Sequence, residues 1–176
     1  GVEFPVQPLA PGDTLTLGDV SVEVLATPGH TTGMVSLRVG DALLCGDTLF
    51  VDGVARPDLE GGDADAPAYA RRLHRTLTER LDHVDDAAVV APGHFGEQTE
   101  PGLDGSYTAT LGDLRERLWA FDVDADTFAE RVLDGMPPQP ANFEEIIAIN
   151  LGRETADDET AFELELGPNN CAAAAD

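Results

Sequence analysis

Three times before residue 95 an apolar run stops at a glycine and hands the chain to a side chain able to ligate a cation. Val20-Ser21-Val22-Glu23-Val24-Leu25-Ala26 leads into Thr27-Pro28-Gly29-His30-Thr31-Thr32-Gly33. Leu43-Leu44-Cys45 ends in Gly46-Asp47, and Ala88-Val89-Val90-Ala91 ends in Pro92-Gly93-His94. Runs of this length and composition predict strands, and Pro-Gly breaks them. In open α/β sheets, ligands gather beyond the carboxyl ends of strands. His30, Asp47 and His94 are therefore the candidate site.

The rest of the chain supports a small α/β unit. Residues 1–13 carry Pro5, Pro8, Pro11 and Gly12 and read as an extended connection. Gly18-Asp19 separates the runs 14–17 and 20–26, and Gly40-Asp41 separates 34–39 and 42–45. Both are two-residue hairpin signals, so 14–51 reads as a meander of short strands. Residues 52–66 are rich in glycine and aspartate and read as a loop long enough to carry function. Tyr69, Leu73, Leu77 and Leu81 recur at helical spacing and predict an amphipathic helix over 67–81, starting near Asp65-Ala66-Pro67. Residues 87–91 read as a buried strand and 95–107 as loop. Helices are predicted over 110–119 and 124–133, the second capped by Asp124 or Asp126 and stopped by Gly135 and Pro137-Pro138. A third short helix is expected over 142–151, and a final strand or extended arm over 162–166. The units that follow are 1–108, a helical closing segment 109–153, and an acidic linker with an extended tail over 154–176.

The chain has 176 residues, of which 42% are hydrophobic, enough for one domain with a core. Its formal net charge is −24, and all ten basic residues are arginine. Such a surface repels nucleic acid and anionic lipid, so neither is an expected partner. The charge is spread along the chain, not gathered in a tail, which reads as halophilic adaptation: salt screens the self-repulsion. The two cysteines, Cys45 and Cys171, make no disulfide framework, and Cys45 reads as a core thiol. No run of about 18 apolar residues and no secretory signal is present, so no membrane span is expected and a cytoplasmic location is the default.

Imidazole and carboxylate together suit Zn(II) or Fe(II). Strand ends fix such ligands in advance, and adjacent glycines leave room for an ion and its substrate. Ordinary alternatives are a loop histidine bonded to a backbone carbonyl for His30, an Asx-turn for Asp47, and a surface histidine for His94. His74 and His83, among charged residues on or just after the predicted helix, read as ordinary helix-surface residues. Arg56 and Asp58 leave two readings open: an exposed pair worth little, or a guanidinium fork for an anionic substrate.

Thr27–Gly33, Gly46-Asp47-Thr48-Leu49-Phe50 and Pro92-Gly93-His94 resemble the later metal motifs of the metallo-β-lactamase superfamily. Gly53-Val54-Ala55-Arg56-Pro57-Asp58, the short helical tail, and the segment from Pro140-Ala141-Asn142-Phe143 to Ala148-Ile149-Asn150 resemble one branch more closely, the persulfide dioxygenases and their rhodanese-linked relatives. The resemblance covers about residues 10–153. It implies the second half of an αββα sandwich, a mixed sheet with helices, plus a short α-helical C-terminal segment. The superfamily's first motif, H-x-H-x-D-H, is absent from this chain, and the missing N-terminal half of the domain is the implied partner. Where many persulfide dioxygenases carry Asp-Tyr after the last histidine, this chain has Phe95-Gly96.

The resemblance implies that His30 and Asp47 ligate a primary metal. His94 would be a second-metal ligand in dinuclear members and is retained beside a single iron in persulfide dioxygenases. Thr31, Arg56 and Asp58 would position a small-molecule persulfide, with mononuclear Fe(II) as the cofactor. The alternative is a dinuclear zinc or iron thioester hydrolase of the glyoxalase II type. A further alternative is a non-catalytic fragment, since half a sandwich leaves a sheet face uncovered.

Overall fold

In the computed structural model, which describes residues 2–96 and 99–165, the meander forms as its turns require. β1 (Thr14–Leu17), β2 (Val20–Ala26), β3 (Val35–Val39) and β4 (Ala42–Gly46) pair antiparallel in succession. The terminal pairs are Leu17 with Val20 and Val39 with Ala42, and Gly18 and Gly40 take φ of 60° and 57°. Positive φ at the first loop position is what a two-residue primed turn demands.

After β4 the chain crosses over through α1 (Gly62–Arg75) and a π-helical turn (Thr76–Arg80) to β5 (Val89–Pro92). β5 lies parallel to β4, and β6 (Ala109–Thr110) pairs antiparallel with β5. A parallel neighbour needs such a crossover, and a helix supplies it. The described residues thus form one mixed six-stranded sheet in the order β1 to β6. α2 (Leu111–Arg117), α3 (Ala125–Asp134), α4 (Phe143–Asn150) and α5 (Asp158–Glu165) follow, so the class is α/β.

One sheet face is covered. Leu43, Cys45 and Val90 are fully buried in a cluster with Leu73 and Leu77 of the crossover, Leu114 of α2, and Phe128 and Val132 of α3. On the opposite face Leu44 and Val89 remain 43% and 38% exposed. The alternation along β4 reads this one-sided cover directly. Cys45 is the core thiol expected: its Sγ–H donates to the Leu49 carbonyl at 3.0 Å, and burial pushes its pKa up to about 12. Cys171 lies outside the described residues.

Several expectations are corrected. The helix expected from 67 begins at Gly62, with Gly61 at its N-cap and Pro67 inside it. Asp63 and Asp65 in the first turn favour that earlier start through the helix dipole. Its last part is a π-helical turn, with Leu81 N–H bonded to the Thr76 carbonyl. The expected strand or arm over 162–166 is helical through 165: Asp157 accepts the Thr160 N–H at 2.8 Å and begins α5. Leu166 and the small-residue tail lie outside the described residues. The loop expected over 52–66 ends where α1 begins at Gly62, and within it Val54, Ala55, Arg56 and Asp58 are buried and Leu49 bridges to Val54. His74 is not a simple surface residue either; its Nε2 lies 2.8 Å from the Val123 carbonyl and its ring packs on Phe128. His83 is exposed as expected. Asp124 caps α3 through its carboxylate, and Gly135 ends it. Among the described residues, no helix is long and apolar enough to cross a membrane.

Candidate metal centre

β2, β3 and β4 are tied together at the end where the candidate ligands stand. Thr27, Ser36 and Thr48 form a buried hydroxyl chain, with Thr27 Oγ1 2.9 Å from Ser36 Oγ and Thr48 Oγ1 donating to Thr27 Oγ1 at 3.1 Å. These hydroxyls satisfy one another where the strand ladder stops. The loop beyond Thr27 is then pinned from the crossover. Thr76 Oγ1 donates to the Pro28 carbonyl at 2.6 Å, and Gly29 at φ 156° lies against the backbone of Leu73.

His30 emerges from this loop almost fully buried, and its Nδ1 is 2.8 Å from the Arg56 carbonyl. A carbonyl only accepts, so Nδ1 carries a proton, and in the neutral ring Nε2 presents its lone pair. That lone pair faces Asp47 Oδ2 at 3.7 Å. Two acceptors opposed at this distance suit a shared cation with ligand bonds of about 2.1 Å, and a ligating histidine ordinarily gives its other N–H to a carbonyl or carboxylate. The donor chemistry therefore fits a metal.

Asp47 follows Gly46, which takes φ of 50° at the end of β4. The neighbouring strand end is zipped to it: Gly93 N–H donates to the Gly46 carbonyl at 2.9 Å. His94 is thereby delivered to the same carboxylate, with Nδ1 2.5 Å from Asp47 Oδ1. The two expected histidines thus converge on the expected carboxylate, Asp47. Among the described residues, no three His, Cys, Asp or Glu side chains stand ready as a metal cage. At Asp47 one oxygen is bonded to His94 and the other faces His30.

Thr31 sits half-buried beside His30, its carbonyl accepting the Gly29 N–H at 3.0 Å. Arg56 and Asp58 are not the exposed pair of the first reading. Both are buried, and Arg56 Nε and Nη2 donate to Asp58 Oδ1 and Oδ2 at 2.7 and 2.9 Å. Arg56 Nη1 and Nη2 also reach the carbonyls of Pro138 and Pro137. Burial would raise the Asp58 carboxyl, but the Arg56 hydrogen bonds and charge, with Gln139, hold it below the ordinary value. Three features escape a reading of residue types: the hydroxyl chain, Glu60 receiving Thr32 through its N–H and Oγ1, and Tyr107 stacked on Phe95 with centroids 3.7 Å apart. Only Phe95 carried a signal, through its place after His94.

Known proteins resemble this chain in sequence and in fold. The family model described as the metallo-beta-lactamase superfamily matches residues 2–94. A hydroxyacylglutathione hydrolase of Acidiphilium cryptum is 35% identical over 133 residues, 75% of this chain and 53% of that protein. A metallo-beta-lactamase structure from Staphylococcus aureus superposes with a TM-score of 0.73 at 26% identity, over 85% of this chain and 45% of that one. The ETHE1 structure from Myxococcus xanthus gives a TM-score of 0.70 at 25% identity, over 82% and 59%. The chain spans about half the length of the curated relatives it matches.

Proposed function

This chain belongs to the metallo-β-lactamase superfamily, and from that premise we propose that it is part of an enzyme that oxidises a small-molecule persulfide at a single ferrous ion. The observation that carries this reading is the 2.5 Å contact of His94 Nδ1 with Asp47 Oδ1. His94 reaches the carboxylate that also faces His30, so one aspartate gathers both rings. The buried Arg56–Asp58 pair within Gly53–Asp58 and the helical closing segment around α4 support the same branch.

His30 Nε2 and Asp47 Oδ2 would hold the ion from this chain, together with donors from a first half of the domain. When bound, the ion supplies open positions for O₂ and a persulfide sulfur. His30 is kept in the ligating tautomer by the Arg56 carbonyl. His94 fixes the rotamer of Asp47 and holds a proton at Nδ1 against its outer oxygen. Thr31, beside His30 and half-buried, would touch substrate. The uncovered sheet face with Leu44 and Val89 is where the first half would pack.

A second reading is a dinuclear thioester hydrolase, favoured by the hydroxyacylglutathione hydrolase relative. There His30, Asp47 and His94, with donors from the first half, would hold two ions, which when bound would supply an activated water and stabilise developing negative charge. Metal analysis of the full-length gene product, purified in high salt, separates the two. One iron with persulfide-dependent O₂ uptake is the expected result; two metals with thioester cleavage overturns it. The 176-residue chain alone is expected to turn over little or nothing, and full-rate turnover by it would contradict the half-domain reading.

A further inference from the structure

We infer that Arg56 is a positioning residue for His30, and that residues 137–139 form a strap that locks it in place. This rests on the metal-centre reading above. Arg56 is 1% exposed and Asp58 2%. The guanidinium gives its fork to Asp58, one donor to the Pro138 carbonyl at 2.9 Å and one to the Pro137 carbonyl at 3.1 Å. Gln139 Nε2 then donates to Asp58 Oδ2 at 3.2 Å. The strap therefore touches both members of the pair. An anionic substrate would have to displace a buried carboxylate to reach this fork.

The sequence explains why a strap forms. Gly135 ends α3 and turns the chain. Pro137 and Pro138 lack N–H groups, so this stretch cannot continue a helix or join a ladder. Their carbonyls need donors from elsewhere when covered, and Arg56 supplies them. At its other end, the main chain of Arg56 accepts the His30 Nδ1–H at 2.8 Å. Side chain and carbonyl of one residue thus join the exit of α3 to the ring of a ligand. Lysine keeps the charge at this position but cannot make a planar fork to carboxylate and carbonyls together.

The test uses apo full-length protein titrated with Fe(II) and, separately, Zn(II), and the ¹⁵N signal of His30 Nδ1–H. Arg56→Lys is expected to weaken metal binding about 10- to 100-fold, the range for loss of an outer-shell partner. The His30 signal should lose its hydrogen-bonded position, while KM at metal saturation stays unchanged. Gln139→Ala, at an exposed strap residue, should move both readouts in the same direction by less and leave the fold intact. Metal binding equal to wild type in both variants overturns the inference, as does a raised KM with metal affinity unchanged. Wild-type protein that takes up no metal overturns the metal-centre reading instead; the His30 signal then decides the strap, retained in Arg56→Lys against it and lost in favour.

Discussion

Gly29 and Leu73 touch backbone to backbone: a β-carbon on Gly29 would stand 2.5 Å from Leu73 Cβ and 2.6 Å from its Cα. Leu73 is fully buried in α1, so the helix cannot swing away. Gly29→Ala should cost about 1–3 kcal/mol from overpacking, with strain of similar size from its φ of 156°. Relief comes by pushing the loop off α1, which moves His30. Chemical unfolding should show the loss, and metal retention should fall with it. Gly33→Ala, with nothing within 4 Å, is the control and should stay within about 0.5 kcal/mol. Equal stability of the two variants would refute the close approach.

The hairpins and the meeting of His30, Asp47 and His94 were readable because short-range chemistry determines them. Gly18-Asp19 and Gly40-Asp41 admit few other two-residue turns, and Gly29, Gly46 and Gly93 mark where a candidate side chain leaves a strand. What was not readable depends on partners distant in sequence. Thr27, Ser36 and Thr48 look like ordinary strand residues until register brings three strand ends together. Arg56 and Asp58 look solvated because the carbonyls that bury them belong to Pro137 and Pro138. His74 sits among arginines, yet α3 supplies Phe128 and the Val123 carbonyl lies within reach of its ring nitrogen. Phe162 and Leu164 alternate like a strand, and only the Asp157 cap reveals the helix.

The Arg56–Asp58 pair gives stability a defined acid limb. The Asp58 carboxyl is held below its ordinary value in the folded protein. The pair's contribution is therefore full above the unfolded pKa of about 3.9 and is lost as pH falls through the lower folded value. Asp58→Asn should cost about 3–5 kcal/mol at neutral pH, because Arg56 is left buried without its counter-charge. Below about pH 4 the gap between variant and wild type should narrow. Urea midpoints from pH 3 to 7 check this; a gap independent of pH would refute it.

Charge predicts a response to salt. A net charge of −24 on 176 residues repels itself in the compact state. Raising NaCl from about 0.1 to 1 M shortens the screening length from about 10 to 3 Å. The Tm should rise through that range. Sucrose at matched osmolality should reproduce less than half of the rise, since it screens nothing. A flat Tm in salt would argue against the halophilic reading.

Thr76 makes the last link in the support of His30. Its hydroxyl donates to the Pro28 carbonyl at 2.6 Å, and Thr76 is fully buried where α1 passes into the π-helical turn. Thr76→Val keeps the shape and removes the donor, leaving the Pro28 carbonyl without that bond. An orphaned buried acceptor costs about 1–3 kcal/mol. The urea midpoint should fall accordingly with the m-value unchanged, since no new surface is exposed. Thr76→Ser keeps the hydroxyl and should recover most of the loss. Thr78→Val removes a hydroxyl that bonds only to the His74 carbonyl four residues back, and should cost little. If Thr76→Val and Thr78→Val prove equally mild, the link between the crossover and the His30 loop carries no stability. If Thr76→Val alone is costly and also lowers metal retention, the crossover helps to hold His30 in place.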